Sequence, residues 1–354
     1  MVRSSRSKSR KIRTLGITLN RREHGGDPQA LESTYGHPEQ GWLDLSTGIN
    51  PQPYVPKKLA PENWGSLPST KSLSNLKHTA AVCYGVSNPE LITAAPGTQA
   101  LIQWLPRLRP VGRVSVVSPT YNEHAHCWRI AKHTVKETRD LSQAEDNSEV
   151  IIVVNPNNPD GYQYAPNDLK NLAQRQAEKG GWLIVDEAFC DVTPELSIAN
   201  AVGTAGLIIL RSFGKFYGLA GLRLGFALTD AVMAERLTTF LGPWAVSTPA
   251  IIIGEAALSE DDWATATRQQ LQLSSDRLDR LLGASGMEVV GGTSLFRLVA
   301  TDHAEAIYQT LAQCGIMVRQ FQYDPKWLRF GLPGSEHDWQ RLEVALSQCS
   351  SETA

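Results

Sequence analysis

Short apolar runs rich in β-branched residues recur along the first two thirds of the chain, at Leu91–Ala95, Arg113–Val117, Glu149–Val154, Trp182–Val185, Leu207–Leu210 and Leu224–Leu228. Runs of this length and continuity predict strands buried on both faces. The segments Thr98–Leu105 and Pro166–Lys179 carry helical spacing between them. Buried strands separated by helices predict an α/β fold, a mainly parallel sheet covered on both sides. Beyond about Pro243 the pattern changes. A long helical stretch, Thr248–Leu282, leads into Met287–Val290, Ser294–Leu298, a helix near His303–Cys314, then Ile316–Arg319 and Trp327–Phe330. That predicts a small α+β unit. Ahead of the first strand, His24-Gly25-Gly26-Asp27-Pro28 and Ser46-Thr47-Gly48-Ile49-Asn50-Pro51 read as irregular backbone. The expected division is a tail (1–23), an arm (24–50), a large domain (51–243) and a small domain (244–354).

Length agrees: 354 residues suffice for about two domains of roughly 100–200 residues. With 42% hydrophobic and 20% charged residues and a mean hydropathy of −0.24, the chain is neither disordered nor a membrane protein. The longest weakly polar run, Ser197–Leu210, is too short and too interrupted to span a bilayer. A net charge of −2 gives no electrostatic reason to bind nucleic acid or an anionic membrane, and the scattered aromatics form no base-stacking platform. Five dispersed cysteines without a CxxC pair fit a reducing cytoplasm rather than a disulfide or zinc framework. No metal site is expected, since His124 and His126 are two apart and would not share a helix face. The tail stands out: Met1–Arg22 holds eight Lys/Arg, four serines and no acid, and reads as a solvated extension.

Ligands of open α/β sheets bind beyond the carboxyl ends of the strands, so those ends carry the chemistry. Five of them hold polar or glycine-rich turns. Gly97-Thr98-Gln99 opens a helix directly after a strand, a seat for an anion. Lys215, in Ser212-Phe213-Gly214-Lys215, can lose its charge in a partly apolar cleft and form a Schiff base with a carbonyl; it can equally be a surface lysine. A phosphate-binding GxxxxGK[ST] loop is excluded by Ile209 and Phe216. Asp186 ends an apolar strand, where a carboxylate needs a cation or a donor, whether a pyridinium nitrogen or a helix N-terminus. Ser212 and Arg223 can serve a phosphate. Asn158 can donate to a phenolic oxygen or merely shape a Pro-rich turn, and Tyr121 can stack on a ring or pack in the core.

In this order, Gly97-Thr98-Gln99, Tyr121, Asn158-Pro159-Asp160-Gly161, Asp186-Glu187-Ala188-Phe189, Ser212-Phe213-Gly214-Lys215 and Arg223 resemble the fold-type-I pyridoxal-phosphate enzymes of the class I/II aminotransferase family. The resemblance runs from about His24 to the C-terminus. It implies a large domain with a mainly parallel seven-stranded sheet plus a small α+β domain, and pyridoxal 5'-phosphate as cofactor. Lys215 would bond covalently to the cofactor, Asp186 would pair with the pyridine nitrogen, Asn158 would donate to the ring's 3' oxygen and Tyr121 would stack on the ring. Gly97, Thr98, Gln99, Ser212 and Arg223 would hold the phosphate. A homodimer with the site at the subunit interface is also implied.

Within that family, His24-Gly25-Gly26, Ser46–Pro51, Gly291–Arg297 and Leu328–Gly334 look like the threonine-phosphate decarboxylases of cobalamin synthesis, close relatives of histidinol-phosphate aminotransferases. By that resemblance His24, Gly25, Asn50, Asn158, Arg319 and Arg329 would hold a small anionic amino-acid substrate. The guanidinium groups suit a carboxylate or phosphate, or a surface ion pair. The implied reaction is decarboxylation of L-threonine O-3-phosphate to (R)-1-aminopropan-2-yl phosphate. The alternatives are an aminotransferase of histidinol-phosphate type, or a non-catalytic protein that binds the cofactor or a partner. Two departures are visible: Phe189 and Leu67 stand where many relatives carry tyrosine.

Overall fold

The structure, a computed structural model, describes residues 25–352. Its strands are β1 (Leu43–Asp44), β2 (Ile92–Ala95), β3 (Arg113–Val117), β4 (Thr134–Thr138), β5 (Val150–Val154), β6 (Trp182–Asp186), β7 (Leu207–Ser212), β8 (Gly225–Leu228), β9 (Glu288–Thr293), β10 (Phe296–Ala300), β11 (Ile316–Met317), β12 (Arg319–Phe321) and β13 (Asp324–Gly331). Seven of them form one sheet in the order β2-β8-β7-β6-β5-β3-β4. Its central pairs are parallel, and β8 alone runs against its neighbours β2 and β7. Every residue of β5, β6 and β7 is buried, as the Val/Ile/Leu runs that make up most of them require. Each such side chain contributes about 1.5–3 kcal/mol when taken out of water. The fold is the α/β one the resemblance implies.

Two elements differ from the expectation. Strand β4 is Thr-Val-Lys-Glu-Thr, mostly exposed and paired on one side only, so it has no continuous apolar signal. The predicted helix over 248–282 is two helices, Thr248–Leu258 and Asp261–Ala284. Ser259 donates its hydroxyl back to the Glu255 carbonyl at the end of the first, and Asp261 and Asp262 open the second, where the helix dipole favours acids.

A second sheet, antiparallel in the order β12-β13-β10-β9, comes from the C-terminal third of the chain. The arm is tied to this part of the molecule through β1, which pairs in parallel with β11, Leu43 opposite Ile316. Beyond β1 it runs past both sheets: Asn50 N donates to the Lys215 carbonyl at 2.9 Å. The basic segment 1–23 and His24 lie outside the described residues. Among the described residues no helix is long and apolar enough to cross a membrane.

Candidate active site

The carboxyl ends of β2, β7, β6, β5 and β3 enclose a cavity of about 170 Å³ lined by Gly97, Thr98, Gln99, Tyr121, Asn158, Asp186, Ser212, Lys215 and Arg223. All nine residues expected around the cofactor therefore meet there. Strand order sets their sequence across the cavity. Gly97 follows β2 and Ser212 ends β7; then come Asp186 on β6, Asn158 after β5 and Tyr121 after β3. Arg223 reaches the same edge because β8 is antiparallel: Gly225, at its start, pairs with both Ala95 and Ser212.

Side-chain alternation on β6 and β7 separates two kinds of charge. Asp186 and Ser212 line the cavity, whereas their neighbours Glu187 and Arg211 do not. Arg211 is buried, donating to Glu187 Oε2 at 2.7 Å and to Asp191 Oδ1, with its guanidinium 4.5 Å from the Tyr84 ring centre. Glu187 also accepts from Ser197 Oγ and from the backbone of Ile198. This ion cluster holds the ends of β6 and β7 together behind the cavity.

Asp186 accepts from Ala188 N at 3.0 Å, and its Oδ2 lies 2.8 Å from His124 Nε2; both side chains are buried. Sequence reasoning missed His124. The available signal was its place three residues after Tyr121, in the first turn of the helix Glu123–Ile130; the two rings meet edge to face at 6.1 Å. The Gln99 side chain points to this wall too, accepting from Tyr121 Oη at 3.3 Å and donating to Glu123 at 3.0 Å. Its backbone N–H, with that of Thr98, belongs to the first helical turn and has no carbonyl of the preceding turn to bond.

Lys215 sits in a clamped loop. Its carbonyl accepts from Asn50 N and Gly218 N, Asn50 Nδ2 donates to the Phe216 carbonyl at 2.9 Å, and Tyr54 N donates to that of Tyr217. Gly218, at φ +68°, allows the contact, since a Cβ there would stand 2.6 Å from Pro53 Cα. Burial, then the positive charge of Arg329, pulls the Lys215 amine down to about 8, against an opposing effect of Asp186. Its Nζ lies 5.5 Å from the centre of the Phe189 ring, which packs edge to face on Phe296.

Lys215, Tyr121 and Asn158 also line a second chamber, of about 210 Å³, together with Gly25, Ser46, Arg319 and Arg329. Buried Arg329 donates to Asn158 Oδ1 and, at 2.8 Å, to the Ser46 carbonyl. Burial and the neighbouring Arg319 lower it to about 10, so it stays cationic at neutral pH. Asn50, expected in the substrate set, does not line this chamber. It is buried outside this chamber, its amide spent on Phe216 O and on accepting from Gln52 N. It braces the lysine loop instead. Gly25 does line the chamber, so close to Ser46 that a Cβ would come within 2.6 Å of its carbonyl. His24 lies outside the described residues.

The chain matches the model of the family described as aminotransferase class I and II over residues 40–347. It belongs to that family. It is 43% identical over 329 residues to a threonine-phosphate decarboxylase of Pseudomonas aeruginosa, covering 92% of this chain and 97% of the relative. A threonine-phosphate decarboxylase of Sinorhizobium is 41% identical over 327 residues, with the same coverage of both chains. Among solved structures, histidinol-phosphate aminotransferase from Sinorhizobium meliloti in complex with pyridoxal-5'-phosphate superposes with a TM-score of 0.82 at 21% identity, over 98% of this chain and all of that one. In this chain Leu67 is exposed, and Phe189 is buried against Phe296 and carries no hydroxyl towards the cavity.

Proposed function

We propose that this protein is a pyridoxal-5'-phosphate-dependent decarboxylase that converts L-threonine O-3-phosphate to (R)-1-aminopropan-2-yl phosphate and CO₂, a step of cobalamin biosynthesis. The observation that carries the reading is the double placement of Lys215. It borders a cavity with an acid and a set of anion donors, and also a chamber holding two arginines. The names of the two relatives above 40% identity support the choice of substrate.

The residues fit the cofactor. A Cβ on Gly97, at φ +82°, would stand 2.6 Å from the Arg223 guanidinium, and one on Gly225 would stand 2.6 Å from Thr98 N. Glycine thus keeps open a cradle offering N–H groups, the Ser212 hydroxyl and a guanidinium, the donor set a phosphate dianion requires. Asp186 would hold a protonated ring nitrogen, Tyr121 would face the ring, and Asn158 would lie beside its oxygen. When bound, pyridoxal 5'-phosphate supplies an electron sink for the bond broken at the substrate α-carbon.

The chain's own groups do the remaining work. Lys215, lowered to about 8, takes up and releases a proton close to neutral pH. Arg319 and Arg329 would bind the substrate's anionic groups, and the anchored guanidinium of Arg329 would fix the direction in which the carboxylate points. Phe189 and Phe296 form an apolar wall beside the Lys215 amine. The same reading includes the four-part division of the chain, a cytoplasmic location and a homodimer. In support of the last, Trp64, Leu67 and Trp244 are each at least 60% exposed, on segments joined by the Thr248 hydroxyl to the Ser66 carbonyl. A second copy of the chain would cover them.

The test is product analysis of the reconstituted protein, first with threonine phosphate and then with histidinol phosphate plus 2-oxoglutarate. The reading requires CO₂ and aminopropanol phosphate from the first. Turnover of the second pair alone overturns it. Deleting residues 1–22 should leave turnover intact.

A further inference from the structure

The chamber of Arg319 and Arg329 has a larger neighbour. A cavity of about 380 Å³ adjoins it, and Thr120, Tyr121, Asn122 and Tyr323 line both. Three of these four belong to the segment after β3. Tyr323 comes from the other sheet, in the two-residue turn left where Phe321 pairs with Asp324 between β12 and β13. Its ring is 5.4 Å from that of Phe321 and 6.1 Å, edge to face, from that of Trp327. Those two rings are themselves perpendicular at 6.3 Å. An aromatic cluster thus holds Tyr323 at the boundary while leaving it 51% exposed. Beyond it the larger cavity is charged, with Arg139, Asp324 and the Arg129–Glu137 ion pair at 2.6 Å.

We propose that Tyr323 is a specificity-determining residue, a wall that sets the length of the anionic amino acid the Lys215 chamber accepts. The inference rests on the decarboxylase reading for its choice of substrate. A four-carbon phospho-amino acid with its amine at Lys215 and its anions on Arg319 and Arg329 stays on the near side of the ring. A longer chain must pass Tyr323 into the adjoining cavity. The wall acts by shape, because Tyr323 reaches the boundary on the packing of three rings. Rejection of about tenfold for an added methylene or two is what a packed apolar wall supplies.

The experiment uses amine-free dianions, so that no turnover intervenes: 4-phosphonobutyrate, 5-phosphonopentanoate and 6-phosphonohexanoate, titrated calorimetrically into the holoenzyme. The natural protein should lose about tenfold or more in affinity from the shortest to the longest. Tyr323→Ala should level the series to within about threefold, and Tyr323→Phe should preserve it, since the ring rather than the hydroxyl forms the wall. Tyr323→Leu, which keeps an apolar contact with Phe321 and Trp327, should level it in part and guards against a misfolded alanine variant. Equal weakening of all three ligands in the alanine and leucine variants overturns the proposal, as does a natural protein that shows no length dependence. Separately, failure of the natural protein to release CO₂ from threonine phosphate while the series behaves as expected strikes the decarboxylase reading and leaves the wall standing.

Discussion

His124 Nε2 lies 2.8 Å from Asp186 Oδ2; both side chains are buried, and Asp186 lines the cavity that Lys215 borders. The pair fixes which way the carboxylate faces, and with it the direction from which a cationic ring nitrogen can be held. Replacing His124 by Ala removes one partner of a buried carboxylate. The penalty for leaving such a group short of a bond is about 1–3 kcal/mol. Cofactor affinity should therefore fall by about tenfold or more, and the absorbance of the bound cofactor should titrate at a different pH. His124→Gln, which can still donate, should recover part of both. Unchanged absorbance across pH in His124→Ala would show that the carboxylate does not depend on the histidine.

Arg223 and Gly97 test the phosphate seat from both sides. Arg223→Met deletes the guanidinium; Gly97→Ala drives a methyl into it and is strained at φ +82°. Charge-assisted hydrogen bonds contribute about 1.5–3 kcal/mol each. Both variants should bind pyridoxal 5'-phosphate at least about tenfold more weakly, while binding of pyridoxal, which lacks the phosphate, changes little. Comparing the two ligands by fluorescence titration of apo-protein isolates the phosphate from the ring.

The lysine's environment sets a pH dependence in the cofactor-free protein. Its amine is lowered to about 8 when folded and returns to the ordinary 10.5 when unfolded. Between those values the unfolded chain binds the extra proton, so stability rises with pH through that window. Below about pH 8 both states are protonated and the buried charge costs at most about 3 kcal/mol. Lys215→Met should thus be the more stable protein at pH 7 in urea denaturation, with the advantage shrinking towards pH 10. Borohydride trapping of a small aldehyde at Lys215 should likewise increase up to about pH 8 and then level off.

Much of this site is legible in the amino-acid sequence, for a physical reason. The strands β5, β6 and β7 are buried on both faces, so apolar runs make up most of them, and whatever follows each run must sit at the sheet's edge. What escaped depends on contacts between distant segments. Strand β4 is an edge, free to be polar. Asn50 resembles a ligand residue in a Gly-Ile-Asn-Pro turn, yet its amide is taken by Phe216 O, 166 positions away. His124 gave no sign that its partner would be Asp186. Arg223 carries no strand-end signature of its own, since it precedes β8; the guanidinium suits a phosphate, and the family resemblance strengthens its placement with Gly97. The boundary formed by Tyr323 is a relation between two sheets, which no local pattern encodes.

Arg211 offers a test of the scaffold behind the chemistry. It is buried, and bonded to Glu187 and Asp191, which are buried as well. Such a cluster contributes little net stability compared with apolar packing, but removing one member leaves uncompensated charge. Arg211→Met should destabilise the protein by about 3–5 kcal/mol, read as a lower urea midpoint. Because Glu187 and Arg211 adjoin Asp186 and Ser212 in the chain, the change should also disturb the cavity. Cofactor binding should weaken even at temperatures where the variant is fully folded. The triple replacement Arg211→Met, Glu187→Leu, Asp191→Leu removes all three charges together. It should recover stability relative to Arg211→Met, because no ion is left without a partner. If the single variant matches the natural protein in both urea midpoint and cofactor affinity, the cluster does not hold β6 to β7, and the alignment of Asp186 with Ser212 rests on the backbone ladder alone.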